Sequence, residues 1–323
     1  MASEDNIGEI DTSLSRKLKD TAAGFVGGAV QVLIGQPFDL VKVRLQAAST
    51  NTGGAPSTPL SVFKQTLTQE GPLAFYKGTL APLLGVGACV SVQFYAFHEA
   101  KRFFQGQNQK EGEANVKTTA LGLTYPQIYA AGAAAGIANT PLTSPIEQVR
   151  ILLQTQRSTK DGSGARWNGP RDVVKDLKAN RALFRGSGVT VLREAQAYGV
   201  WFATYEYVIA ALVDRLQRVR NDPSLTRNDL PTPYLLGAGA VAGEALWLAS
   251  YPLDVVKSRV QADGLASAGE SRYGGSAIRA AQDVWRTQGI RGFWRGIVPT
   301  LLRAIPASSG TFAAVELTLR VLG

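Results

Sequence analysis

The chain predicts an all-α membrane protein of six transmembrane helices, arranged as three tandem helix-pair repeats of about 100 residues with pseudo-threefold symmetry. Three observations carry this. Charged residues make up only 18% of 323 residues while 34 are glycine, the balance of helices in lipid rather than in water. Long uncharged stretches run from Thr21 to Phe38, Gly78 to His98 and Thr118 to Ile146, each near the roughly 20 residues a bilayer-crossing helix needs. One short motif recurs at a fixed period.

That motif is a proline followed by an acid and a base. Pro37-Phe-Asp39-Leu-Val-Lys42 returns as Pro145-Ile-Glu147-Gln-Val-Arg150 and as Pro252-Leu-Asp254-Val-Val-Lys257, at spacings of 108 and 107 residues. A fourth copy at Pro170, Asp172 and Lys175 lacks the surroundings. The periodic prolines have glycines at −13 and −9 (Gly24 and Gly28, Gly132 and Gly136, Gly239 and Gly243) and glutamine at +9 (Gln46, Gln154, Gln261). Pro170 has neither, and it suits the first turn of a short surface helix.

Two further landmarks repeat. Tyr76-Lys77-Gly78 returns as Phe184-Arg185-Gly186 and Trp294-Arg295-Gly296, and an acid recurs at Glu99, Glu206 and Glu316. Each unit therefore reads as a helix, a polar loop carrying a short amphipathic helix, and a second helix. The divisions are a polar N-terminal tail at 1–16 and repeats at 17–112, 122–219 and 230–323. Six spans put both termini on one side. Hydropathy alone misses the later spans, because Arg193, Glu194, Glu206, Glu244 and Arg303 interrupt them.

Function classes narrow quickly. One histidine and no metal-ligand cluster, phosphate loop or nucleophile–base pair argue against an enzyme, and no cofactor is expected. The +9 net charge fits an anionic partner; without an aromatic-basic recognition motif, that partner is lipid rather than nucleic acid. Cys89 is alone, which excludes an internal disulfide framework. Residues 1–11 are acidic and polar, unlike a transit or signal peptide, so targeting information is expected inside the chain.

The glycine pairs, four residues apart, should let helices approach closely. Pro37, Pro145 and Pro252 should kink or break each odd helix and angle its end inward. The acid and base that follow share a helix face, and charges at membrane depth face a cavity or a partner, which suggests a ring of interhelical ion pairs. Thirteen residues before each repeating acid stand Val86, Arg193 and Arg303, about 20 Å along the helix and so near the midplane. An arginine there can hold a carboxylate through two hydrogen bonds, with Glu194 as the countercharge for an ammonium. Glu244, in the middle of the fifth helix, has no acidic counterpart at Ala29 or Ile137 and either lines the cavity or pairs with an arginine. His98 reads as a helix-surface residue. The loop from Gln156 to Arg185 holds eight Lys or Arg against three Asp, which places it on the positive-inside face of the membrane.

From about Lys17 onward the landmarks resemble the mitochondrial carrier family. The stretch Ala81-Pro-Leu-Leu-Gly-Val-Gly, with Arg303-Ala and Pro306-Ala, is similar to its carnitine and ornithine branch and to related fungal amino-acid carriers. The resemblance implies a multi-pass protein of the mitochondrial inner membrane, monomeric, with both termini in the intermembrane space. It implies a matrix gate pairing Asp39 with Arg150, Glu147 with Lys257 and Asp254 with Lys42, braced by Gln46, Gln154 and Gln261. It implies a cytoplasmic gate on the even helices, here reduced to Glu99, Arg102, Glu206, Glu316 and Arg320. It also implies cardiolipin, whose phosphates would sit at the helix N-termini after Gly78, Gly186 and Gly296. The substrate read from these charges is a small zwitterionic carboxylate, most simply a glutamate-like amino acid. Carnitine, walled by Val86, Tyr198 and Trp201, is the alternative, as is a receptor or uncoupling protein of the same fold.

Overall fold

The computed structural model describes residues 5–47, 58–111, 119, 121–156, 166–263 and 272–322. These form nine α-helices, with no strand among the described residues. Six are long: α1 (Asp5–Ala47), α3 (Leu80–Glu111), α4 (Tyr125–Thr155), α6 (Ser187–Arg220), α7 (Thr232–Ala262) and α9 (Ile297–Leu322). Three are short: α2 (Pro59–Gln69), α5 (Pro170–Ala179) and α8 (Ala277–Gln288). The order long, short, long occurs three times. The helix α1 begins inside the segment read as a polar tail, and α5 begins at Pro170 as expected.

Length and apolarity alone would find fewer spans. Only Ala22–Ala47 passes on its own, with Pro72–Gly85 and Gly87–Gln109 qualifying together as a pair bent by 48°. The remaining long helices carry their charges and hydroxyls on the face turned to their neighbours: Thr140 and Ser144 on α4, Arg193 and Glu194 on α6, and Asp254 and Lys257 on α7 are all buried. Their outer faces expose large apolar side chains such as Leu192, Val241, Leu248, Leu302 and Leu317. This is the inverse of a soluble bundle, in which apolar residues fill the interior.

The short helices are built to lie flat. Thr58 caps α2 with a reciprocal capping box and Ser276 caps α8. Each packs on the C-terminal end of its own odd helix. Val62 meets Leu40, Val41 and Leu45; Val173 and Leu177 meet Val149, Leu152 and Leu153; Ala280 meets Val256 and Val260.

Cyclic symmetry shows best at the glycines that open the even helices. Gly78, Gly186 and Gly296 have φ of +80°, +76° and +87°, the left-handed region where a side chain is strained. A Cβ on Gly78 would lie 3.1 Å from the Arg150 carbonyl of α4, and one on Gly186 would lie 3.0 Å from Val260 Cγ1 of α7. One on Gly296 would lie 3.4 Å from the Lys42 carbonyl of α1. Each repeat thus abuts the next, and the third closes on the first.

The sequence expectations narrow here. Each odd helix runs through its proline without interruption, which excludes a break at Pro37, Pro145 and Pro252 from the kink-or-break expectation. Of the glycine pairs, only that of repeat 2 makes a close approach. A Cβ on Gly132 would fall 2.5 Å from the Tyr198 carbonyl, and one on Gly136 would overlap that of Glu194, whereas Gly24, Gly239 and Gly243 have open space around them. Repeat 1 uses different glycines: Gly27 faces Thr311 and Val315 of α9, and Gly35 faces Arg303.

Candidate substrate cavity and gate

The C-terminal halves of α1, α4 and α7 converge at one end of the bundle and bring the periodic charges together. Lys42 Nζ lies 2.6 Å from Asp254 Oδ2, and Arg150 donates to Asp39 Oδ2 at 2.6 Å. Lys257 donates to Glu147. All three contacts are between helices, and Lys42, Lys257 and Asp254 are buried, so the ring is shielded from solvent screening.

Only one of the three glutamines touches this ring. Gln46 donates to Asp254 Oδ2 at 3.3 Å and to the Tyr251 hydroxyl at 3.4 Å. The buried Gln154 amide makes no hydrogen bond among the described residues, and Gln261 reaches only Thr190 Oγ1 at 3.5 Å. The brace of the first pair is instead Gln36, the residue before Pro37. Its Oε1 accepts from Arg150 at 2.7 Å, and its amide donates to the Lys77 carbonyl at 2.8 Å, tying the gate to the start of α3.

The midplane arginines are joined to the same ring. Arg303 donates to Asp39 Oδ2 at 3.1 Å. Arg193 donates to its neighbour Glu194 and lies 3.6 Å from Asp254 Oδ1, while Glu194 Oε1 is 4.0 Å from Lys257 Nζ. A Cβ on Gly35 would lie 3.1 Å from Arg303 Cδ, so that glycine makes room for the arginine. Glu194, read as the countercharge for an ammonium, has a side chain that is 2% exposed and sits between two cations. Glu244 makes no hydrogen bond or ion pair among the described residues, and its interacting charge is Arg303. The side chain of Val86 lies outside the described residues.

Trp247 was not foreseen. Its ring lies 4.3 Å from Lys42 Nζ, 5.2 Å from the Arg193 guanidinium and 5.5 Å from that of Arg303. Three cations converge on one indole ring, a contact worth about 0.5–2 kcal/mol each depending on desolvation. The available signal was its place seven residues before Asp254, two turns back on the gate face.

At the opposite end no such ring forms among the described residues. Glu99 pairs with Arg102 on its own helix at 2.8 Å, both side chains exposed. Glu206 is buried, and the expectation that it lacks a base is corrected by Arg227, from the turn Arg227–Asp229. Its guanidinium is 3.7 Å from Glu206 and donates to the Tyr205 hydroxyl at 3.2 Å. Arg320 is exposed, and the Glu316 side chain lies outside the described residues. His98 is exposed on α3, as read. Tyr198 and Trp201 are half-buried on α6, with Trp201 stacked on Tyr205.

The sequence profile described as mitochondrial carrier protein matches residues 15–108, 122–216 and 228–323. The chain is 45% identical to the mitochondrial glycine transporter of Saccharomyces cerevisiae over 96% of this chain and 93% of that one. It is 42% identical to the glutamate/glycine mitochondrial carrier of Schizosaccharomyces pombe over 94% of each, and 30% identical to the mitochondrial carnitine/acylcarnitine carrier protein of Rattus norvegicus, again over 94% of each. Three profile matches in tandem, on the three helix pairs that close into one ring, place this chain in the mitochondrial carrier family, as a membrane protein of six transmembrane helices.

Proposed function

We propose that the protein carries a small amino acid across the mitochondrial inner membrane by alternating access. In this reading the Asp39–Arg150, Glu147–Lys257 and Asp254–Lys42 pairs close the matrix side, and substrate enters from the other. The observation that carries this reading is Arg303. Its guanidinium is held by a gate acid, so a substrate carboxylate that takes Arg303 releases Asp39 and loosens the ring. Arg193 stands in the same relation to Asp254. Binding and gate opening are then one exchange of partners, and a charge freed from a buried pair is costly until the new partner arrives.

An amino-acid substrate is supported by the names of the two fungal relatives and by the presence of both charge signs at the midplane. Cardiolipin remains the proposed lipid. The left-handed glycines leave helix N–H groups free at the starts of α3, α6 and α9, where a lipid phosphate would fit.

Reconstitution into liposomes tests the reading. Uptake of labelled glycine and glutamate should exceed that of carnitine esters and 2-oxo-acids, and Arg303→Ala should abolish it. Preferred uptake of carnitine would move the substrate to the other branch, and no uptake of any of them would remove the transport function.

A further inference from the structure

We propose that Glu244 is the ammonium-binding residue, paired across the cavity with Arg303, and that the charge-balanced cavity selects a zwitterion of no net charge. This rests on the amino-acid reading above and adds to it the substrate's charge class.

The argument is a count of fixed charges. In the ion-pair ring and around its two arginines stand the acids Asp39, Glu147, Glu194, Glu244 and Asp254 and the bases Lys42, Arg150, Arg193, Lys257 and Arg303, while Arg44 and Arg259 turn away from the ring to Glu70 and Asp283. The stretches of α3 before His98 and of α4 before Glu147 add none. Five negatives meet five positives, so the empty cavity is neutral. Four of the acids are ion-paired in the structure, and Glu244 alone is not, among the described residues.

The two arginines are not equivalent. Arg193 is 10% exposed and shares Glu194 and Asp254, while Arg303 is 23% exposed and has Asp39 alone. Arg303 is therefore the guanidinium a carboxylate can reach. Glu244 sits one turn before Trp247 on α7, and the Arg303 guanidinium lies over that indole. A carboxylate on Arg303 and an ammonium at Glu244 span one short molecule, with Trp247 beneath. A neutral amino acid keeps the loaded site neutral. Glutamate brings one excess negative charge, and a basic amino acid one excess positive charge.

The test is glycine exchange in proteoliposomes with a valinomycin–potassium potential. One whole charge crossing 100 mV is worth about a 50-fold bias, so partial movement of a net charge shows as a several-fold change in rate. Wild-type glycine exchange should be unchanged across 100 mV of either sign, and glutamate exchange should respond. Glu244→Gln should raise the glycine KM at least tenfold, make the residual exchange potential-sensitive, and admit glycolate as a competitive inhibitor, because a hydroxy acid then restores neutrality. Glu244→Asp should recover part of the affinity. Potential-sensitive glycine exchange in the wild type overturns the charge balance. A Glu244→Gln protein with unaltered KM and no response to glycolate removes the ammonium site. If Glu244→Gln does not fold, the wild-type potential arm still decides the charge balance. A wild type that moves no amino acid fails the broader reading instead.

Discussion

Arg303 and Asp39 show how far single residues could be read. Both are read as site residues from the repeat, Asp39 because an acid stands at all three related positions and Arg303 because a base stands at two of the three, and charge at membrane depth has few structural explanations. Their contact with each other was not legible, since it joins α1 to α9 and depends on Gly35 leaving room. It alters the expected outcome of charge reversal. Asp39→Lys should abolish exchange, because it faces two guanidinium groups. Adding Arg150→Asp should recover only a fraction, as Arg303 still opposes the new lysine; recovery to wild-type rate would show that the Arg303 contact is dispensable. Trp247 was invisible for the opposite reason: Val32 and Thr140 stand at its symmetry-related positions, so no repeat pointed to it. Trp247→Ala should lower the melting temperature in detergent and slow exchange, whereas Trp247→Phe, which keeps a weaker aromatic face, should lose less. Equal loss from the two would mean that volume matters there and the π face does not.

Among the elements, the even-helix openings were the most legible and the glycine pairs the least. The aromatic-base-glycine landmark marks a left-handed turn, a backbone demand that only glycine meets cheaply, so sequence and structure coincide. Gly296→Ala adds a Cβ 3.1 Å from the Tyr251 hydroxyl to the positive-φ strain, while Gly122→Ala at φ +69° adds the strain with only an ordinary contact, 3.5 Å from the Gln105 amide. Gly296→Ala should therefore cost more in thermal stability, about 1–3 kcal/mol against about 1. Matching melting temperatures would refute the packing contribution. The end of α2 carries a tie that the sequence did not announce. Arg44 donates to Glu70 at 2.6 and 3.0 Å and to the carbonyls of Gln154 in the last turn of α4 and of Gln156 just after it, and Lys77 joins at 2.5 Å. Burial acts to raise the Glu70 carboxyl, but the hydrogen bonds from Arg44 and Lys77 prevail and hold it below the ordinary glutamate value. A lowered folded value means the contribution is present at neutral pH and fades as pH falls through the acidic range. The melting-temperature gap between wild type and Glu70→Gln should thus be widest near pH 7 and shrink toward pH 4. A constant gap would mean the ionised carboxylate is not the stabilising form.

For the whole molecule, the repeat rather than the hydropathy revealed six spans, because the interior of this bundle is polar and a window average sees both faces at once. Repetition also pointed to the ring of ion pairs at one end. The other end departs from threefold order, with Arg227 contributed by a loop whose position no period could give. The proposed anionic-lipid sites belong at this scale, since the glycine turns that would form them abut neighbouring repeats. Cardiolipin should raise the melting temperature of solubilised protein more than a zwitterionic lipid does, and an equal response would leave the glycine turns with a purely structural role.

The glycine seam between α4 and α6 has a mechanical consequence. Where backbone rests on backbone, no layer of side chains remains to shear, so the two helices form a solid wall. In contrast, α1 touches α3 only sparsely, and α7 likewise meets α9 at few points. Motion has to concentrate at those looser joints, with repeat 2 standing as the fixed post on which the doors swing. Arg193 and Glu194 are mounted on that post, beside Gly136. Under the alternating-access proposal, their depth in the membrane stays constant while access to them changes sides.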